Sequence, residues 1–244
     1  MLYSLVTYVT KNGIGEYVII RRIEKGLFMS ESVLSFLEEK NLPEVIKKKH
    51  TYLMMDGHDQ EDIYVLKDGV VKVSIVLCDG CEFNITYLKG LDIISLLKDE
   101  INKMTTASFH ARIESDTASF YRINRKFFEQ YVKENEELHA YIESYYRKKM
   151  TEAIYRQQLM TMNGKNGAVC AFIYHLIPLF GRQVKKGIFI DLQITNDDIA
   201  SFCGVSTRNS VNRILRGLRE ENVITMVYHK ILILDVDYLK RYAQ

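Results

Sequence analysis

An α+β architecture is predicted for this 244-residue chain from three features. A stretch between about residues 49 and 122 alternates apolar and polar side chains and is punctuated by tight-turn dipeptides. A stretch from 123 to 163 carries helical spacing with no Gly or Pro inside it. A stretch from 194 to 224 has two short helical patterns separated by a turn glycine. Together they predict a β-roll, a long central helix and a C-terminal winged helix-turn-helix. The segments divide as an N-terminal piece 1–48, a roll 49–128, a central helix 129–162 and a helix-turn-helix domain 163–244.

The N-terminal piece opens on the apolar MLYSLVTYV, holds a helical pattern around Glu31–Glu39 and ends in Lys47-Lys48-Lys49. The lysine run is read as a solvated segment. The apolar start has no basic n-region and no cleavage site, so it does not read as a signal peptide. Met29 is an alternative natural start.

The roll is read from Val71, Val73, Ile75 and Leu77 alternating with Lys72, Ser74, Val76 and Cys78, and from Phe83, Ile85 and Tyr87 continuing the period of two. Asp68-Gly69, Asp79-Gly80 and Lys89-Gly90 mark the turns, and short strands with regular turns indicate an antiparallel roll or sandwich. Cys78 and Cys81 form a CxxC, but the Asp79-Gly80 between them is a hairpin signal. With no second CxxC or histidine pair to complete a zinc site, no metal site is assigned.

Asn124 is placed to cap a short helix. Leu138, Ile142, Tyr145, Lys149, Ala153 and Met160 then follow a three-and-four spacing, which predicts one long helix with a narrow apolar seam. Such a seam needs a partner, and Leu138, Ile142, Tyr145 and Ala153 are the candidate two-fold contact of a homodimer. Packing on the chain's own roll is the other reading of the same seam.

A break at NGKNG (163–167) opens the last region. Thr195 is a candidate N-cap with Asp197 and Asp198 in the first turn, where the helix dipole favours negative charge. Gly204 supplies the turn between two closely crossing helices. In the second helix Val211, Ile214, Leu215 and Leu218 recur on one face, while Arg208, Asn209, Ser210, Asn212, Arg213 and Arg216 occupy the other. From 206 to 220 there are four arginines against one glutamate, in a chain whose overall formal charge is only +2. Such a face suits base edges and phosphates, because Arg pairs with guanine and Asn with adenine in the major groove. Thr207, Arg208, Asn209, Ser210, Asn212, Arg213 and Arg216 are the candidate DNA-binding residues, with double-stranded DNA as partner. Ile231 and Ile233, around Tyr228-His229-Lys230, suggest a two-stranded wing.

Composition sets the remaining limits. Charged residues make up 26% and hydrophobic ones 47% of the chain, as in ordinary globular proteins. The longest apolar run, near 168–180, is interrupted by His175 and Pro178, so no membrane span is predicted and a cytoplasmic location is expected. No Gly-rich phosphate loop, nucleophile elbow or framed pair of acids supports an enzyme.

The order roll, long helix, winged helix-turn-helix resembles the Crp/Fnr superfamily of transcription regulators. YLKG at 87–90, NGKNGAVC at 163–170, SVNRI at 210–214 and DYLKRYA at 237–243 are similar to its PrfA-like subgroup, over roughly residues 40 to 243. The helix-turn-helix carries the extra residue after Gly204 that this subgroup shares. The resemblance implies a cyclic-nucleotide-binding-like roll and a homodimer that contacts RNA polymerase. It places the base-reading positions on Arg208, Asn209 and Arg213. It also implies an effector site around Tyr87, Leu88 and Lys89, where glutathione activates one member of the subgroup and Leu88 replaces a tyrosine of that member's ligand tunnel. The cyclic-nucleotide signature, a Gly-Glu pair followed by Arg-Ser or Arg-Thr, is missing from residues 88–115, so cyclic AMP is not expected to bind and no cofactor is assigned. The subgroup's C-terminal helical extension does not follow DYLKRYA, which removes one stabilising contact of the DNA-binding domain. The competing reading is a ligand- or protein-binding module whose helix-turn-helix no longer reads DNA.

Overall fold

The computed structural model describes residues 9–10, 13–14, 33, 36–37, 40, 42–54, 61–76, 80, 82–94 and 108–243. Met29, Cys78, Cys81 and residues 95–107, the middle of the stretch that would carry a cyclic-nucleotide signature, lie outside the described residues. Beyond a two-residue ribbon (9–10 with 13–14), the described strands form a roll: β1 (Glu44–Lys48), β2 (Tyr52–Met54), β3 (Asp62–Asp68), β4 (Val70–Val76), β5 (Glu82–Lys89), β6 (Asp92–Ile93), β7 (Ser108–Ile113) and β8 (Thr117–Asn124). These form two antiparallel four-stranded sheets, ordered β1-β8-β3-β6 and β2-β7-β4-β5.

Between the sheets lie Leu53, Leu66, Val71, Val73, Leu88, Ala111, Ile113 and Phe120, all buried. Strand β3 of the first sheet is buried on both faces, because Ile63 and Val65, with Ile123 of β8, pack on the outer side against Phe36, Leu37 and the helices that follow. Gly69 is the corner at which the chain leaves one sheet for the other. Its φ is +110°, and a Cβ there would sit 2.7 Å from the Cβ of Ala118.

The second sheet departs from simple alternation. The register of β5 slips so that Ser74 pairs with Asn84 while Val73 pairs with Thr86. This β-bulge at Ile85 turns Asn84 and Tyr87 onto the same face as Lys72 and Ser74. Tyr87 therefore does not share a face with Phe83, as an unbroken period of two predicts. Polar residues on an alternating strand ordinarily meet water; here Lys72, Ser74 and Asn84 are fully buried.

Asn124 caps α1 (Arg125–Glu134), its side chain accepting from the Phe127 amide. The expected single long helix is instead two. Asn135 adopts an extended conformation (φ −117°, ψ 107°) and its side chain accepts from the amide of Leu138, starting α2 (Glu136–Met162). An Asn cap thus interrupts the helix where no Gly or Pro does.

Of the two readings of the apolar seam, packing on the chain's own roll accounts for Leu138 and Tyr145. Leu138 is fully buried, and Tyr145 is buried with its hydroxyl donating to the Ile93 carbonyl at 2.7 Å. Both pack on the outer face of the roll, so neither has surface left for a second chain. Ile142 is half-buried in the same cluster. Ala153 remains exposed, beside Met150 and Ile154 at 62% and 59% exposure.

α3 (Gly164–Phe180) is the spine of the last domain and buries Val169, Ile173, Leu176 and Phe180. No helix among the described residues is long and apolar enough to cross a membrane. β9 (Gly181–Val184) and β10 (Gly187–Ile190) follow, then α4 (Asn196–Cys203), α5 (Arg208–Glu220), the hairpin β11 (Ile224–Val227) and β12 (Lys230–Ile233), and α6 (Val236–Lys240). The four strands form one sheet, β9-β10-β12-β11, which carries the expected wing. The NGKNG and DYLKRYA segments meet: Asn163 Nδ2 donates to the Tyr242 carbonyl at 3.0 Å, and a Cβ on Gly167 would lie 2.9 Å from the Tyr242 ring.

Replacing Gly69 by Ala forces a left-handed φ on a residue whose Cβ has no room. Chemical denaturation should show a loss of about 2–3 kcal/mol.

Candidate DNA-reading surface and inter-domain cavity

The helix-turn-helix is built by local rules. Thr195 and Asp198 form a complete capping box at the start of α4, each side chain satisfying the other's backbone amide. Gly204 (φ +61°) turns the chain, and the Thr207 side chain then accepts from the Ser210 amide to start α5. Val211, Leu215 and Leu218 are buried beneath α5 and fix its rotation about its own axis. That rotation leaves Arg208, Asn209, Asn212, Arg213 and Arg216 exposed, so the predicted reading residues share one open face.

Their ties are weak. Arg208 lies 3.8 Å from Asp197 and Arg216 2.9 Å from Glu220, both pairs well exposed. Exposed pairs of this kind stabilise little and are readily exchanged for phosphate. Thr207 and Ser210 are less free, because their hydroxyls lie 2.9 Å apart in the cap. The wing tip adds residues that sequence reading did not assign: Tyr228 and His229 both have positive φ, and Tyr228 is 89% exposed.

The three candidate effector residues all border one cavity, with their side chains engaged differently. Leu88 belongs to the roll core. Tyr87 faces the DNA-binding domain, tilted on Phe202 at 4.8 Å between ring centres and edge-on to Phe180. Lys89 donates to the Leu179 carbonyl at 2.8 Å. Beside Tyr87 and Lys89 a cavity of about 740 Å³ opens between the roll, α2 and α3, with Arg156, His175, Phe172 and Phe202 also on its walls.

Two of these walls are chemically unsettled. His175 Nε2 is buried with no hydrogen-bond partner among the described residues. Burial, and then the neighbouring Arg156 guanidinium, hold the imidazole below its usual pKa, while burial also lowers that of Arg156. Sequence carried no signal for this pair, because His175 reads as an interruption in an apolar run. Cys203 and Cys170 are free but inert, since burial pushes both thiols up to about 12. Among the described residues no cluster of side chains could hold a metal ion.

The depressed His175 pKa makes a pH dependence. The unfolded chain binds this proton more readily than the folded one, so stability rises with pH through the window that ends near the free-histidine value of about 6.5. Denaturation at pH 7.5 and 5.5 should show a loss on acidification that His175→Leu reduces.

Comparison with known proteins agrees with this geometry. Residues 167–242 match the Crp-like helix-turn-helix domain. The lactate racemization regulatory protein of Lactiplantibacillus plantarum is 53% identical over 209 residues, covering 86% of this chain and 95% of that one. The listeriolysin regulatory protein of Listeria monocytogenes is 24% identical over 88% of this chain and 90% of its own length. Among solved structures, FixK2 from Bradyrhizobium japonicum shares the fold with a TM-score of 0.68 at 16% identity, covering 82% of this chain and 96% of that one. CprK complexed with OCPA does so with a TM-score of 0.64 at 20% identity, over 90% and 96% of the two chains. A roll, a long central helix and a Crp-like helix-turn-helix, with a relative more than half identical along most of both chains, establish that this chain belongs to the Crp/Fnr family of transcription regulators.

Proposed function

We propose that the protein works as a homodimer that reads a two-fold operator without cyclic AMP. The observation that carries this is the open polar face of α5, held at a fixed rotation by Val211, Leu215 and Leu218. Arg213 lies one turn into that helix, where a bidentate contact to a guanine is geometrically natural. Arg208 and Asn209 read neighbouring bases, and Thr207, Ser210, Asn212 and Arg216 contact phosphates. Two copies place their reading helices about 34–36 Å apart in successive major grooves.

The dimer contact lies on the C-terminal half of α2. Met150, Ala153 and Ile154 form an exposed apolar strip on a helix whose other side is already committed to the roll. Independence from cyclic AMP is supported by the single arginine of residues 88–115. Arg112 is engaged by Glu114 at 2.8 Å and lies 3.9 Å from Asp198, so it is not available to a cyclic phosphate. An effector, where one acts, occupies the cavity beside Tyr87. The relative named for lactate racemization supports genes of that process as targets.

Arg213→Ala should weaken specific binding by about 1–3 kcal/mol and relax preference at one base pair per half-site; wild-type affinity with an unchanged binding motif would refute the assignment. In the wild type, log affinity should fall linearly with log salt, the mark of released counterions. Ile154→Lys should shift the sedimenting species from dimer to monomer and abolish operator binding together. A DNA-competent monomer refutes the two-fold reading. Calorimetry should show no heat of binding for cyclic AMP, with glutathione and lactate as the effector candidates to titrate alongside it.

A further inference from the structure

The roll meets the DNA-binding domain through a sheet face that is polar and yet dry. The Lys72 ammonium lies 2.7 Å from Asp198 Oδ1 and 3.1 Å from Glu82 Oε2, with the lysine fully buried. Ser74 donates to the other oxygen of Glu82 at 2.7 Å. Asn84 donates to the backbone carbonyl of Asp198 at 3.2 Å, while its own buried carbonyl oxygen has no partner among the described residues. Arg112 lies beside Lys72 in the sheet register, within 3.9 Å of Asp198.

From this arrangement we infer that Lys72, Asn84 and Arg112 are positioning residues for DNA reading. They form an ionic clamp that holds the first helix of the helix-turn-helix in one orientation against the roll. The inference rests on the DNA reading of α5 proposed above.

Asp198 is the joint. One carboxylate oxygen takes the Lys72 ammonium, and the other accepts from the Thr195 hydroxyl at 2.7 Å and closes the capping box by accepting from the Thr195 amide at 3.3 Å. Burial alone would raise this carboxyl, but the hydrogen bonds from Lys72 and Thr195 outweigh it and hold the pKa below the usual aspartate value. The clamp is therefore bonded to the N-terminus of α4, whose Asp197 in turn faces Arg208 at the start of α5.

Attraction and orientation come from different groups. Tyr87, Phe202 and Phe172 stack in a row, with 4.8 Å between successive ring centres, and supply non-directional apolar contact. The ionic groups add little net energy, since desolvating Lys72 offsets much of its pairing. Any rotated docking, however, would take Asp198 from the buried ammonium and leave Glu82 as its one remaining carboxylate partner, which is unfavourable. The clamp thus selects one docked orientation. In that orientation Arg208 and Arg216 remain 69% and 74% exposed by side chain, so it aligns the reading face without covering it.

The test compares full-length variants on one operator. Lys72→Met should bind about ten-fold more weakly, with the same base preference and salt slope, because no DNA contact is lost. Amide exchange over residues 196–204 should quicken, Lys72→Arg should recover most of the affinity, and the losses in Lys72→Met and Asp198→Asn should not add when combined. If a thermal melt shows Lys72→Met to be unfolded, Asn84→Leu carries the same expectations of weaker binding and faster exchange. A folded Lys72→Met or Asn84→Leu protein with operator affinity within about two-fold of wild type and unchanged exchange overturns the clamp. Absence of operator binding by the wild type overturns instead the DNA reading on which it rests.

Discussion

The contact on which the rest of this structure depends is the one between Lys72 and Asp198, 126 residues apart in sequence. It is the point at which a charged face of the roll sheet is removed from water by the DNA-binding domain. A buried ammonium is tolerated only where its partners are in place, so the contact requires the bulge that swings Asn84 onto this face. It also requires the capping box that presents Asp198. Sheet, turn and helix start are thereby made mutually dependent. An apolar patch in the same place would hold the domains together as well, but would tolerate rotation.

The same interface borders the cavity. Tyr87 and Phe202 contribute to the aromatic row on one side and to the cavity wall on the other. A molecule filling that space touches the rings that give the interface its attraction, a strand's width from the charges that give it direction. Lys89, which donates to the end of α3, ties a third element to the same strand. Differential contact between a docked and an undocked arrangement is all that a ligand needs to shift their populations. Here the cavity wall and the domain interface share the side chains of Tyr87 and Phe202.

Much of this was legible in the sequence, and the rest was hidden for identifiable reasons. The cap at Thr195, the turn at Gly204 and the two faces of α5 follow local rules, and the structure has them where those rules put them. The roll was legible as alternation and turn dipeptides. The break at Asn135 was missed because its cause is a side-chain cap, and Asn inside a helical pattern gives no strong signal. Leu138 and Tyr145 stay ambiguous in sequence between a second chain and the chain's own roll, because an apolar seam does not say which surface covers it. The cavity pair Arg156 and His175 was invisible, since the two are brought together only by the crossing of α2 and α3.

Lys72 shows the general form of the limit. On an alternating strand a lysine on the face opposite the apolar one is the normal mark of a solvated face. What reverses its meaning is a carboxylate from a helix that the chain builds more than a hundred residues later. Local sequence rules describe elements before they meet. The residues that couple domains are those whose local reading is right for the isolated element and wrong for the assembled one. The two halves of this molecule each satisfy their local rules, and the coupling that makes them a regulator lies in the few polar groups that do not.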